Sequence, residues 1–128
     1  MRPHTKDPVV LLIEEDELIR ESLGDMLTER GYAAVAVATP SNGMLLLERG
    51  FRPRVIVLDP FTPNGAAAFK ERLAADPALI GTPVVLGPRG VSAERQIRRT
   101  LPREHQLPGP LDVHELLKVV RGYCRPWG

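Results

Sequence analysis

The chain contains a single cysteine, Cys124, so no disulfide can close within it. Its three histidines, His4, His105 and His114, do not have metal-ligand spacing, which argues against a zinc-type site. No apolar run approaches the roughly 20 residues needed to cross a bilayer as a helix. The opening "MRPHTKDP" lacks the apolar core of a signal peptide and leads straight into a strand-like run. No Gly-rich phosphate loop follows that first run, so a dinucleotide-binding or P-loop reading fails. Net charge is only +1, which makes no demand for nucleic acid or a membrane surface. These absences lead to the expectation of a cytoplasmic protein with no membrane partner.

What remains is ordinary globular material. The 128 residues fit one domain, 1–128, and 43% hydrophobic with 26% charged residues can build a real core. Most of the thirteen prolines fall between periodic segments, as punctuation. Charge is uneven along the chain. Residues 1–64 carry 7 Lys+Arg against 10 Asp+Glu, whereas residues 65–128 carry 10 against 6. The acids concentrate in "EEDE", residues 14–17.

Strand and helix signals alternate. "VVLLI" (9–13) is a continuous apolar run and predicts a strand buried on both faces. In the following segment Leu18, Ile19, Ser22, Leu23, Met26 and Leu27 recur at helical spacing, and Gly31 is a natural stop. "AAVAVA" (33–38) predicts a second strand. A short helix then follows, capped by Ser41, weakened by Gly43 and ended by Gly50. "RVIVL" (54–58) predicts the third strand, "AAAFKERLAAD" a helix that stops before Pro77, and "PVVL" (83–86) the fourth strand. A helix capped by Ser92, a weak fifth strand "HQL" (105–107) and a last helix with an Asp112/Glu115 capping box complete the chain. Five such alternations predict an α/β, doubly wound five-stranded parallel sheet with helices on both faces.

Chemistry in such folds gathers at the carboxyl ends of the strands. Glu14 and Glu15 follow strand one, and Asp59 follows strand three. If those strands are neighbours, three carboxylates converge. They repel one another unless a proton or a cation intervenes, and Mg²⁺ is the natural partner for oxygen ligands. A carboxylate can also be a nucleophile that accepts a phosphoryl group.

Four stretches, "VVLLIEEDELIRESLGDMLTERGY", "VIVLDPFTP", "DPALIGTPVVL" and "LPGPLDVHELLKVV", together resemble the receiver domain of two-component response regulators. The resemblance covers a core of about residues 8–122. It implies a flavodoxin-like (βα)5 fold with strand order 2-1-3-4-5, in which a histidine kinase phosphorylates an aspartate at the end of strand three. By position that residue is Asp59. The resemblance also implies a Mg²⁺ site formed by Glu14, Glu15, Asp59 and the backbone carbonyl of Phe61.

Several positions depart from the family pattern. Receivers carry a Ser or Thr after strand four; that place falls to Gly87, or to Pro88 with a shifted gap. They carry Lys-Pro after strand five, and "LPGPLD" puts Gly109 at the lysine. A lost charge-assisted hydrogen bond at such a site is worth about 1.5–3 kcal/mol. Glu15 stands where Asp is usual, which weakens a Mg²⁺ site because this ion demands near-ideal geometry. Gln106 replaces the aromatic switch residue of strand five, and Pro60 follows the acceptor directly. The losses fall on the phosphorylation machinery while the scaffold pattern is intact. The expectation is therefore a degenerate, or pseudo-, receiver in a two-component phosphorelay, acting through protein–protein contact and not as an enzyme.

The alternative is a functional phospho-acceptor, phosphorylated on Asp59 by a histidine kinase with Mg²⁺. A third option is a receiver whose output domain has been removed. For Asp59, a turn-forming acid and a carboxylate that only sets local charge also stay open. The expected partner is a histidine kinase or a downstream signalling protein. In the family, the face of the fourth helix, fifth strand and fifth helix contacts partners and forms homodimers; here it spans roughly 92–122, with Arg95, Arg98, Arg99, His114 and Lys118. Arg89, Arg95, Arg98, Arg99 and Arg103 have no aromatic residues interleaved, so they predict a solvated face and no direct nucleic-acid contact. "LDPFT" invites comparison with haloacid-dehalogenase-type phosphatases, but Phe61 occupies the place of their second Asp. Cys124 has no motif around it and reads as an unreactive thiol. Trp127 reads as a surface or tail residue.

Overall fold

The computed structural model describes residues 9–58, 66–86 and 113–124. Four strands and four helices alternate through them: β1 (Val9–Ile13), α1 (Glu17–Glu29), β2 (Ala33–Val37), α2 (Pro40–Glu48), β3 (Val55–Leu58), α3 (Ala66–Ala75), β4 (Val84–Leu86) and the C-terminal helix (Val113–Tyr123). All described strand pairs are parallel, in the order β2-β1-β3-β4. This is the expected α/β architecture and follows the first four places of the 2-1-3-4-5 order. The expected strand 105–107, the helix capped by Ser92 and Asp112 of the capping box lie outside the described residues, as does Trp127.

β1 is an inner strand of the described sheet and is apolar on both faces. Val10 and Leu12 join one buried cluster with Leu23, Leu27, Leu116, Leu117 and Val120. Leu11 and Ile13 join the other with Met44, Leu47, Ile56, Leu58 and Phe69. Period-two side-chain alternation therefore feeds α1 and the C-terminal helix on one face, and α2 and α3 on the other. Each fully buried aliphatic side chain contributes about 1.5–3 kcal/mol. β2, at the edge, is largely exposed, with Val35 37% accessible.

The helix ends follow local chemistry. Gly31 (φ +88) and Gly50 (φ +104) end α1 and α2 in the left-handed conformation that glycine adopts without strain. The next residue in each case donates back into the helix, Tyr32 N–H to Leu27 O and Phe51 N–H to Leu46 O, both at 3.0 Å. One expectation is corrected. α2 is capped by Thr39, whose Oγ1 accepts from Asn42 N–H at 3.1 Å, and not by Ser41. Pro40 takes the first helical position, where its missing N–H costs nothing, so the cap is the residue before it. Of the apolar α1 positions, Leu23 and Leu27 are buried, but Leu18 and Ile19 are 77% and 41% exposed. They lie in the first turn, directly after the link from β1, where the described sheet offers no surface to cover them.

Cys124 is fully buried, with its Sγ 4.0 Å from Val9 O. Burial pushes the thiol above its ordinary value, and the Arg54 charge opposes this. A raised native value means that the folded chain holds the proton more tightly than the unfolded one. The resulting stability is complete below the ordinary thiol range, about 8.5, and is lost as pH rises through the native value. Ellman's reagent at pH 8 is therefore expected to leave Cys124 unmodified in the native protein and to titrate it fully in urea. Unfolding midpoints above pH 9 should fall less steeply in Cys124→Ala than in the wild type. Rapid native-state labelling would contradict this burial.

Candidate functional site

The site is built from the end of β1. The β1–β3 register pairs Ile13 with Leu58, the residue before Asp59. The β1–β2 register pairs Ile13 with Val37, and Glu14 N–H continues that ladder by donating to Val37 O at 3.0 Å. Glu14 is thus held at the carboxyl edge of the sheet as the first residue beyond the inner strand β1.

Glu14 is the single buried charged residue among those described, at 2% exposure. A buried carboxylate needs compensating donors. One is the main-chain N–H of Asp16, 3.0 Å from Glu14 Oε2. Glu15, the next residue, is exposed. Asp16 caps α1, its Oδ1 accepting from Ile19 N–H at 3.0 Å, and Glu17 lies in the first turn, where the helix dipole favours an acid.

Arg20 completes this arrangement, and no role was expected for it from its residue type. One turn into α1, its Nη1 donates to Glu14 O at 3.0 Å and to Glu15 O at 3.3 Å. The available signal was its place: Arg20 is the one cation in residues 14–21, and helical geometry brings it back over the residues before the cap.

Of the expected site residues, Glu14 and Glu15 are described and stand together on the β1–α1 link. Asp59, Phe61, Gly87, Gln106 and Gly109 lie outside the described residues. So do Pro88, Arg89, Arg95, Arg98, Arg99, Arg103, His4 and His105, together with the side chain of His114. Lys118 is exposed on the C-terminal helix, as expected. Among the described residues, no three His, Cys, Asp or Glu side chains form a metal-ligand group. The Glu14–Glu15 donor set does fit a hard divalent ion, which takes carboxylate oxygens and retains waters, but it supplies only part of a shell. No described helix is long and apolar enough to cross a membrane.

No protein-family model matches the chain. A curated relative, the transcriptional regulatory protein AfsQ1 of Streptomyces coelicolor, is 43% identical over 57 residues, which is 44% of this chain and 25% of that protein. The match therefore spans about a quarter of the relative's length. Among solved structures, the receiver domain of a signal transduction histidine kinase from Syntrophus aciditrophicus superposes with TM-score 0.73 at 21% identity, covering 91% of this chain and 89% of that one. The receiver domain of a Pseudomonas aeruginosa sensor histidine kinase, solved with magnesium coordinated in its active-site cleft, gives 0.73 at 18% identity over 92% and 98% of the two chains. The chemotaxis response regulator CheY4 of Vibrio cholerae gives 0.70 at 19% identity over 91% and 98%. The chain has the flavodoxin-like fold of receiver domains, as its motifs led one to expect.

Proposed function

We propose that this chain is a receiver-like signalling module of a two-component pathway, with phosphorylation lost or marginal, that acts through protein–protein contact and is not an enzyme. The observation that carries the proposal is a contrast. The receiver scaffold and its buried edge acid, Glu14, are retained, while glycine stands at 87 and 109, where the family motif has a hydroxyl and a lysine. Neither glycine can donate a side-chain hydrogen bond to a phosphoryl oxygen.

The Ile13–Leu58 pairing supports a shared edge for Glu14 and Asp59, the residues that follow each strand. Glu14, Glu15, Asp59 and the Phe61 carbonyl would hold a divalent ion there, weakly because Glu15 stands in the usual place of Asp. A bound Mg²⁺ would neutralise charge on a transferring phosphoryl group. The partner in this reading is a histidine kinase or a downstream signalling protein, met in the cytoplasm. Contact uses the face of roughly 92–122, which includes the exposed Lys118 and also serves a homodimer.

A retained acid at Asp59 favours a second reading, a working phospho-acceptor. Intact-mass measurement after incubation with acetyl phosphate and Mg²⁺ separates the two. The degenerate reading expects no added phosphoryl group, or slow and partial addition. Rapid, near-complete addition of one group that is absent in Asp59→Asn would establish the acceptor instead.

A further inference from the structure

Only three residues, 14–16, link β1 to α1, and hydrogen bonds fasten them from several sides. Glu14 N–H donates to Val37 O, Asp16 N–H to Glu14 Oε2, Ile19 N–H to Asp16 Oδ1, and Arg20 N–H to Asp16 O. These bonds leave the Glu14 and Glu15 carbonyl oxygens to be held by other donors. Arg20 Nη1 lies 3.0 Å from the first and 3.3 Å from the second. This nitrogen carries two hydrogens, one for each carbonyl.

We propose that Arg20 is a positioning residue for the Glu14–Glu15 carboxylate pair. By gripping both carbonyls it fixes the two peptide planes from which the carboxylates project. This inference rests on the divalent-ion reading of the same pair. The sign of its effect distinguishes positioning from simple electrostatics. A guanidinium near a cation site repels the cation, so removing its charge should strengthen metal binding by Coulomb's law alone. If Arg20 acts by holding the pair in place, removing it weakens binding. Groups that orient metal ligands typically change affinity by about 10–100-fold when lost.

The test measures Mn²⁺ binding to the whole chain by electron paramagnetic resonance, together with amide hydrogen exchange. Arg20→Met, which keeps an unbranched stem, is expected to bind Mn²⁺ about tenfold more weakly than wild type. Arg20→Lys, whose ammonium also has hydrogens for two acceptors, is expected to recover most of the affinity. Equal or tighter binding by Arg20→Met would overturn the proposal. If the wild type binds no Mn²⁺, the divalent-ion reading fails on its own, and exchange then decides the role of Arg20. The Asp16 and Ile19 amides should exchange about tenfold faster in Arg20→Met, with the Leu12 and Val57 amides unchanged. Unchanged exchange at Asp16 and Ile19 would overturn the proposal in that case.

Discussion

Leu12→Ala is expected to lower the stability of this domain by about 2–5 kcal/mol, against a total that for single domains is about 5–15 kcal/mol. Leu12 is fully buried on the inner strand β1, in the cluster that unites β1 with α1 and the C-terminal helix. Truncation removes apolar burial and leaves a cavity whose walls belong to three elements, so collapse is hindered. Leu11→Ala should cost a similar amount for an independent reason, because its neighbours are Met44, Leu47 and Ile56 on the opposite face. Val35→Ala provides the contrast. Val35 is 37% exposed on the edge strand, and its truncation should stay within about 1 kcal/mol. Urea unfolding followed by circular dichroism reads all three. With a slope of about 1–3 kcal/mol/M, the two core variants should lose roughly 1 M or more in midpoint. Equal midpoints for Leu12→Ala and Val35→Ala would mean that the two-faced packing of β1 is wrong.

The same packing explains what could be read from the sequence. "VVLLI" announces a strand covered on both sides because only that environment accommodates five consecutive large aliphatics. Gly31 and Gly50 mark helix ends because the left-handed position that closes a helix is disfavoured for other residues. Periodicity does not reveal where a helix overhangs its sheet. Leu18 and Ile19 fit the α1 stripe as well as Leu23 and Leu27 do, yet only the latter pair meets the core. At the start of α2, two hydroxyl residues, Thr39 and Ser41, flank Pro40. The proline decides between them, because it favours the first helical turn.

For the site, residue types were legible but their arrangement was not. Carboxylates after strand-like runs can be read from the chain; the parallel β1–β3 register, which sets the ends of those two strands side by side, is a long-range pairing that no local pattern encodes. Arg20 was missed for a related reason. Its role lies in the carbonyls that it holds, and main-chain acceptors leave no trace in residue identity. Gly43 carries a second reason that residue type alone does not show. As a helix-interior glycine it lowers intrinsic propensity by about 1 kcal/mol relative to alanine. Its reason for being there is the approach of α2 to the sheet.

A Cβ at position 43 would lie 2.8 Å from Ile13 Cδ1, 3.3 Å from Ile13 Cγ1 and 3.7 Å from Leu11 Cδ2. Gly43→Val, which places two further methyl groups in that space, is expected to destabilise by about 1–3 kcal/mol, as overpacked cores do. Gly43→Ala is the more informative variant. The propensity gain and the clash oppose each other, and the nearest atom is the movable tip of an isoleucine, so the net change should be small. Ile13→Val deletes that tip and by itself should cost about 0.5–1.5 kcal/mol. Combined with Gly43→Ala it should cost less than the sum of the singles, because the new methyl group occupies the vacated space. A double-mutant cycle is expected to give a favourable coupling of about 1 kcal/mol. Additivity would show that helix and strand do not meet there. The contact also touches the site. Ile13 is the residue before Glu14, so a helix pushed outward by Gly43→Val strains the Glu14 N–H bond to Val37 O. Amide exchange at Glu14 should therefore quicken in Gly43→Val and stay near wild type in the Gly43→Ala, Ile13→Val double variant. That outcome would tie the spacing of α2 and β1 to the placement of the buried edge acid.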